Sequence, residues 1–223
     1  MARKSQVGTP EGDEKRQAIM DAAAEVFMRL GFASTSLDDI SEQYGATKGI
    51  IYYHFRNKTN LFFAVLRHAM ELTRAAIEPE ALGEGSAKDR LRRMASAHAH
   101  LMMEHLAYLR VSGLGAQLHL SGRTTEAERE QMQEITEMRD KNEQLYLQVI
   151  NEGIASNEFR AVDSRIAVKP LLGALNWTSR WYRPREGETA ADRNRLALEI
   201  ADFVVHAFLP QYSQSKHEKQ DNR

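Results

Sequence analysis

Ser36-Leu37-Asp38-Asp39-Ile40-Ser41-Glu42-Gln43-Tyr44-Gly45-Ala46-Thr47-Lys48-Gly49-Ile50-Ile51-Tyr52-Tyr53-His54-Phe55 holds two short helical patterns that meet at a glycine. Ser36 is a good N-cap, and Asp39 three residues on is an acidic first-turn partner. Leu37, Ile40 and Tyr44 fall on one face of a two-turn helix. Gly45 stands where the chain must bend sharply, a place that asks for positive φ. Thr47 can cap a second helix, which Ile51 and Phe55 would pin to the first. Two short helices about a Gly-containing turn make a helix-turn-helix, the unit whose second helix enters the major groove of DNA.

That second helix would turn Thr47, Lys48, Gly49, Tyr52, Tyr53 and His54 outward. The face carries hydroxyls, small residues and one cation, and no carboxylate follows until Glu71. A carboxylate would repel phosphates, so this composition suits a surface that approaches a duplex. Thr47 offers a hydroxyl and backbone N–H groups at a helix start. Gly49 permits close approach. Lys58 opens the next helix and can reach a phosphate from outside, while Arg3 and Lys4 lie on an arm able to add contacts. Packing is the competing reading: Phe55 is expected in the core, and Tyr52 and Tyr53 could serve either purpose. Residues 1–58 hold eight Lys/Arg against eight Asp/Glu, so the basic footprint is weak by count.

Outward from this motif the pattern stays helical. Ile19, Ala22, Ala23, Val26, Phe27 and Leu30 recur at i, i+3, i+4, i+7, as do Leu61, Val65, Leu66, Ala69 and Leu72. No strand-like alternation bounded by turns is present. The fold class is all-α with about nine helices: an N-terminal three-helix unit carrying the helix-turn-helix, and a larger helical ligand-binding and dimerisation unit. Gly31 should end a helix begun near Glu14. Longer helices are expected over 58–77, 86–104, 106–119, 124–156, 163–182 and 190–209, with linkers at 78–86, 121–124 and 183–187. The domains are then 1–58 (arm and helix-turn-helix), 59–212 (effector binding and dimerisation) and a polar tail, 213–223.

The chain has 223 residues, 42% hydrophobic and 27% charged, enough for a substantial core. Lys+Arg number 30 and Asp+Glu 31, which excludes a polybasic binder in bulk but not a local basic face. Cysteine is absent, which removes disulfides, thiolate nucleophiles and Cys-ligated metals. No apolar run approaches the roughly 18–20 residues of a membrane helix, and the start lacks a secretory h-region. These features lead us to expect a cytoplasmic protein with no membrane partner. His98, His100, His105 and His119 show no metal-ligand spacing. No nucleophile elbow, phosphate-cradling loop or paired-carboxylate frame is present, so neither an enzyme nor a cofactor is expected.

Residues 16–66 closely resemble the N-terminal domain of the TetR family of transcriptional regulators. The resemblance is carried by Ile19-Met20-Asp21-Ala22-Ala23-Ala24-Glu25-Val26-Phe27, Gly31-Phe32-Ala33-Ser34-Thr35-Ser36-Leu37-Asp38-Asp39-Ile40, Gly45 through Phe55, and Lys58-Thr59-Asn60-Leu61-Phe62. It implies an all-helical homodimer whose first three helices bind a double-stranded DNA operator and whose larger C-terminal domain binds a small effector. By position it gives DNA-contact roles to Thr35, Thr47, Lys48, Gly49, Tyr53, His54 and Lys58, and makes the last two helices the dimer-forming pair. Leu171, Leu172, Leu175, Trp177, Leu196, Ile200, Phe203, Val204 and Phe208 suit such an interface, or an intramolecular core.

Asn176-Trp177-Thr178-Ser179-Arg180-Trp181-Tyr182-Arg183-Pro184 is similar to a segment in family members that regulate fatty-acid and steroid-type degradation, some of which answer to acyl-CoA thioesters. Arg180 offers a planar fork to phosphates, and Trp177 a stacking surface. The competing reading closes a helix at Pro184, with Trp177 in the core and the arginines on acids. The apolar stretch around Met102 and Met103 reads as a pocket wall or as plain core, with Arg110 or a pocket histidine placed to meet a ligand's polar end. The function expected is a ligand-responsive repressor on a pseudo-palindromic operator. A multidrug-type sensor, an activator with the same fold, or a helical interaction module without DNA binding are the alternatives.

Overall fold

The computed structural model describes residues 9–120 and 125–210, with the backbone alone over 114–120. The expectations for Arg3, Lys4, the 121–124 linker, the 213–223 tail and the His119 side chain fall outside the described residues. Within them there are nine helices and no strand: α1 (Pro10–Ser34), α2 (Leu37–Tyr44), α3 (Lys48–His54), α4 (Lys58–Leu82), α5 (Ala87–Glu104), α6 (Leu106–Leu120), α7 (Glu126–Ala155), α8 (Ser164–Trp181) and α9 (Ala190–His206).

Local chemistry sets the N-terminal boundaries. Pro10 occupies the first turn of α1, where its missing N–H costs nothing, and Thr9 caps that turn. Gly31 breaks the helix with φ 78°, and a last turn then runs on to Ser34. Ser36 and Asp39 form a reciprocal capping box at α2, and Gly45 closes that helix in the left-handed region, φ 75°, ψ 30°.

The linker expected at 78–86 is largely helical. α4 continues through Pro79 to Leu82. Packing overrides the proline here: Ile77 and Ala81 are buried on either side of it. Arginines of α5 take up the loose C-terminal carbonyls, Arg90 Nε donating to Ala81 O at 2.9 Å and Arg93 Nη2 to Glu84 O at 2.7 Å.

Two apolar clusters make the core. The first joins Ile19, Phe27, Ile40, Ile51 and Phe55 to the first half of α4, from Leu61 to Met70, and also takes in Tyr108, Val111 and Ile135. The second gathers the rest of α4 with α5, the later part of α7, α8 and α9 around Leu91, Tyr146, Ile150, Leu175 and Ala201. α4 therefore belongs to both clusters, and α6 lies against α1 on one side and the end of α8 on the other. No helix among the described residues is long and apolar enough to cross a membrane.

Candidate DNA-reading face and effector cavity

α3 is held by Ile51 (fully buried) and Phe55, as its spacing predicts, and its other side is open. Thr47 is exposed at the helix start, and its hydroxyl makes no capping bond. Gly49 is exposed, and Tyr53 is 79% exposed and stacks edge-on against His54. Burial, with Arg16 and Lys15 nearby, holds the half-buried His54 imidazole below its usual pKa. Lys48 Nζ lies 2.7 Å from Asp38 Oδ2 of α2 in an exposed ion pair, from which it can swing to a phosphate.

Two residues given contact roles are occupied otherwise. The Thr35 side chain is buried, and its hydroxyl donates to Gly31 O at 2.7 Å, closing the end of α1. Lys58 Nζ donates to the carbonyls of Phe32, Ala33 and Thr35 at 2.6–3.3 Å and sits over the Phe32 ring. Its three protons tie α4 to the α1–α2 turn, so the ammonium is not presented to a phosphate. The turn's bare carbonyls need those donors more than solvent does.

A second feature is a cavity of about 520 Å³ between α4, α5, α6, α7 and α8. Its inner end is buried: Met70, Thr73, Ile77, His98, Met102, Asn142 and Tyr146. Its mouth is exposed and bears Arg139, Arg180, Trp177 and the Lys169–Glu143 ion pair. Arg180 has no ion-pair partner among the described residues, and Gly113 leaves room for it. A Cβ there would stand 3.2 Å from Arg180 Nη2.

Met102, Trp177 and Arg180 thus meet at one cavity, while Met103 and Arg110 do not. Met103 is a helical step away from Met102 and packs into the second core cluster. Leu109, Ser112 and Gly113 are the α6 residues that line the cavity, so Arg110 leaves the helix on another side. Its guanidinium donates to Ser179 O at 2.6 Å and Tyr182 O at 2.7 Å, with Met28 Sδ of α1 at 3.7 Å. Trp177 is 64% exposed, which overturns its core reading. Of the histidines, His98 lines the cavity, His100 pairs with Glu104, and His105 caps α5. No group of three or more metal-ligating side chains occurs among the described residues.

The inner polar residues escape the sequence reading, except for His98, which it weighs as a metal ligand and among the pocket histidines able to meet a ligand's polar end. A signal for Asn142 exists: an amide on the apolar stripe of α7, between Met138 and Leu145. Asn142 Nδ2 donates to Met70 O at 3.1 Å, and His98 Nδ1 lies 3.0 Å from Tyr146 Oη. Burial pushes His98 down to about 4, against the opposing influence of the Asn176 amide.

The family model for bacterial regulatory proteins of the tetR family matches residues 19–65, and that for the tetracyclin repressor-like C-terminal domain matches 84–208. The chain belongs to the TetR family. It is therefore a helix-turn-helix transcriptional regulator, and the TetR-family proteins it resembles are regulators rather than enzymes. The HTH-type transcriptional regulator SrpR of Pseudomonas putida is 43% identical over 75 residues, 32% of this chain and 34% of that protein. The match thus spans only about a third of that relative's length. The fatty acid metabolism regulator protein of Bacillus subtilis is 26% identical over 196 residues, 86% of this chain and 96% of its own. The ketosteroid regulator KstR2 of Mycobacterium tuberculosis superposes with TM-score 0.75 at 20% identity, over 88% of this chain and 96% of that one. AibR, solved with isovaleryl coenzyme A and operator DNA, gives 0.69 at 21% identity, over 89% and 100%. At such identities the two structures share the fold with this TetR-family regulator.

Proposed function

We propose that the protein is a cytoplasmic, ligand-responsive repressor that holds a pseudo-palindromic operator as a homodimer and releases it when a small molecule enters the cavity between α4 and α8. The observation that carries this reading is that α4 and α6, both packed on α1 of the unit that bears the carboxylate-free reading helix, also line a cavity of about 520 Å³. Thr47, Lys48, Gly49, Tyr53 and His54 contact DNA, while Thr35 and Lys58 hold the turn that orients them. Residues 1–58 carry the reading unit, 59–212 the effector and dimer unit, and 213–223 a polar tail. Dimerisation through α8 and α9 is supported by the exposure of Phe203 (78%) and Ile166 (70%). A two-fold dimer places its reading helices about 34–36 Å apart.

The effector is an anionic thioester of the acyl-CoA type. Two arginines, Arg139 and Arg180, at an entrance whose one carboxylate among the described residues, Glu143, is already paired with Lys169 support that class, as does the coenzyme A ester in the AibR complex. Fluorescence anisotropy on the intergenic DNA beside the gene, at fixed salt, tests the reading. Saturable binding released by acyl-CoA thioesters is expected. Salt-insensitive or absent DNA binding refutes the regulator, and binding that no thioester releases refutes the effector class.

A further inference from the structure

We infer that the floor of this cavity is built to bind a hydroxyl on the far end of the effector's apolar body, between His98 and Asn142. The inference rests on the cavity being the effector site.

Asn142 is 6% exposed, and its amide orientation is fixed by Met70 O, which only the amide nitrogen can serve. The other end, Oδ1, is a buried acceptor with no partner. His98 is 3% exposed, and its Nε2 makes no hydrogen bond within 3.5 Å, the Asn176 side chain that also lines this cavity being the other polar group that acts on the ring. Tyr146 Oη stands 3.0 Å from His98 Nδ1 and 3.4 Å from Met94 O. With the shorter contact as the phenol's donation, the neutral ring keeps its single proton on Nε2. On that assignment one unanswered donor and one unanswered acceptor belong to residues that line the same buried end.

A hydroxyl answers both, accepting from His98 Nε2–H and donating to Asn142 Oδ1. The chain Tyr146 → His98 → hydroxyl → Asn142 → Met70 O is then complete. A ligand carbonyl leaves Asn142 Oδ1 unpaired, a methyl leaves both groups unpaired, and a carboxylate faces the amide oxygen. Met70, Ile77, Met102 and Leu109 take the apolar body between floor and mouth. The ligand class is an apolar chain or ring system, hydroxylated at the end remote from its anionic head.

Isothermal titration calorimetry on the full chain tests this with octanoyl-CoA, ω-hydroxyoctanoyl-CoA and suberyl-CoA, and with octanoate and ω-hydroxyoctanoate as probes lacking coenzyme A. The hydroxylated thioester should bind tenfold or more tightly than its parent, about 1.4 kcal/mol, with suberyl-CoA weakest. Asn142→Leu should erase that preference, and the wild-type comparison stands alone if the variant does not fold. If only the free acids bind, with the same preference, the hydroxyl floor holds and the coenzyme A reading falls. Equal affinity for the hydroxylated and parent probes, or binding of none of the five, overturns the floor. Operator release is read separately in the anisotropy experiment.

Discussion

At the scale of single residues, the two lysines beside the reading helix have different work, and substitution separates them. The ion pair of Lys48 with Asp38 is exposed, and such pairs contribute only about 0–1 kcal/mol. Lys48→Ala should therefore leave the melting temperature almost unchanged, weaken binding to all DNA sequences and lower the salt slope by about two units, one for each protomer of the dimer. An unchanged slope would remove Lys48 from the phosphate contacts. Lys58 serves three carbonyls and an aromatic face. Lys58→Ala should destabilise the fold by about 1–3 kcal/mol in urea denaturation, because the carbonyls lose their donors. Stability equal to wild type would contradict the strut. His98 gives a pH signature. Its pKa is pushed down to about 4 in the folded protein, below the ordinary 6.5. The unfolded chain thus binds the extra proton first, so stability is full above pH 6.5, falls as pH drops below that, and levels off below about 4. The loss reaches about 3 kcal/mol. The stability gap between wild type and His98→Gln should shrink by that amount from neutral pH to about pH 4, and a constant gap would place the titration elsewhere.

At the scale of elements, boundaries were legible where a single residue's chemistry decides them. Ser36 with Asp39, and Gly45, mark α2 by capping and left-handed geometry alone. Boundaries settled by distant partners were not: α4 passes Pro79 because Ile77 and Ala81 are buried on either side of it, and Arg90 of α5 then takes up a carbonyl at its end. The α7 terminus shows the same dependence on tertiary contact. Gly153 is buried on α7, and the ring of Phe159 lies where a Cβ at 153 would stand. Gly153→Ala should lower stability by about 1–3 kcal/mol through overpacking, and Phe159→Leu in the same chain should recover part of the loss. A neutral Gly153→Ala would mean the return loop yields freely. The cavity was half legible. Met102, Trp177 and Arg180 were identifiable by type, but which face of α5 and α6 turns toward this cavity depends on packing that spacing leaves open, and so Met103 and Arg110 fall outside its lining.

At the scale of the whole molecule, α6 and α4 each connect the cavity to α1, and α6 does so through polar contacts to both α1 and the end of α8. Tyr108 donates to Asp21 Oδ1 at 2.7 Å and accepts from Gln17 at 3.0 Å, both on α1. Arg110, two residues on, grips the carbonyls of Ser179 and Tyr182 on either side of Arg180 and Trp181. On the proposed function, a ligand that moves the α8 end would be felt at α1 through α6, beside the route along α4, which lines the cavity and packs on α1. Arg110→Met should leave operator affinity and ligand affinity each within a few fold of wild type while reducing their coupling. Full coupling in that variant would shift the link to another contact. The sequence showed both modules but not this connection, since it runs through backbone carbonyls that no residue type announces. The most direct test is reciprocal coupling: ω-hydroxyoctanoyl-CoA affinity measured with and without bound operator, beside operator affinity with and without the thioester. Coupled sites require both ratios to be equal, and 5–150-fold is the usual range. Thioester affinity that is the same on free and DNA-bound protein would contradict an effector-released repressor.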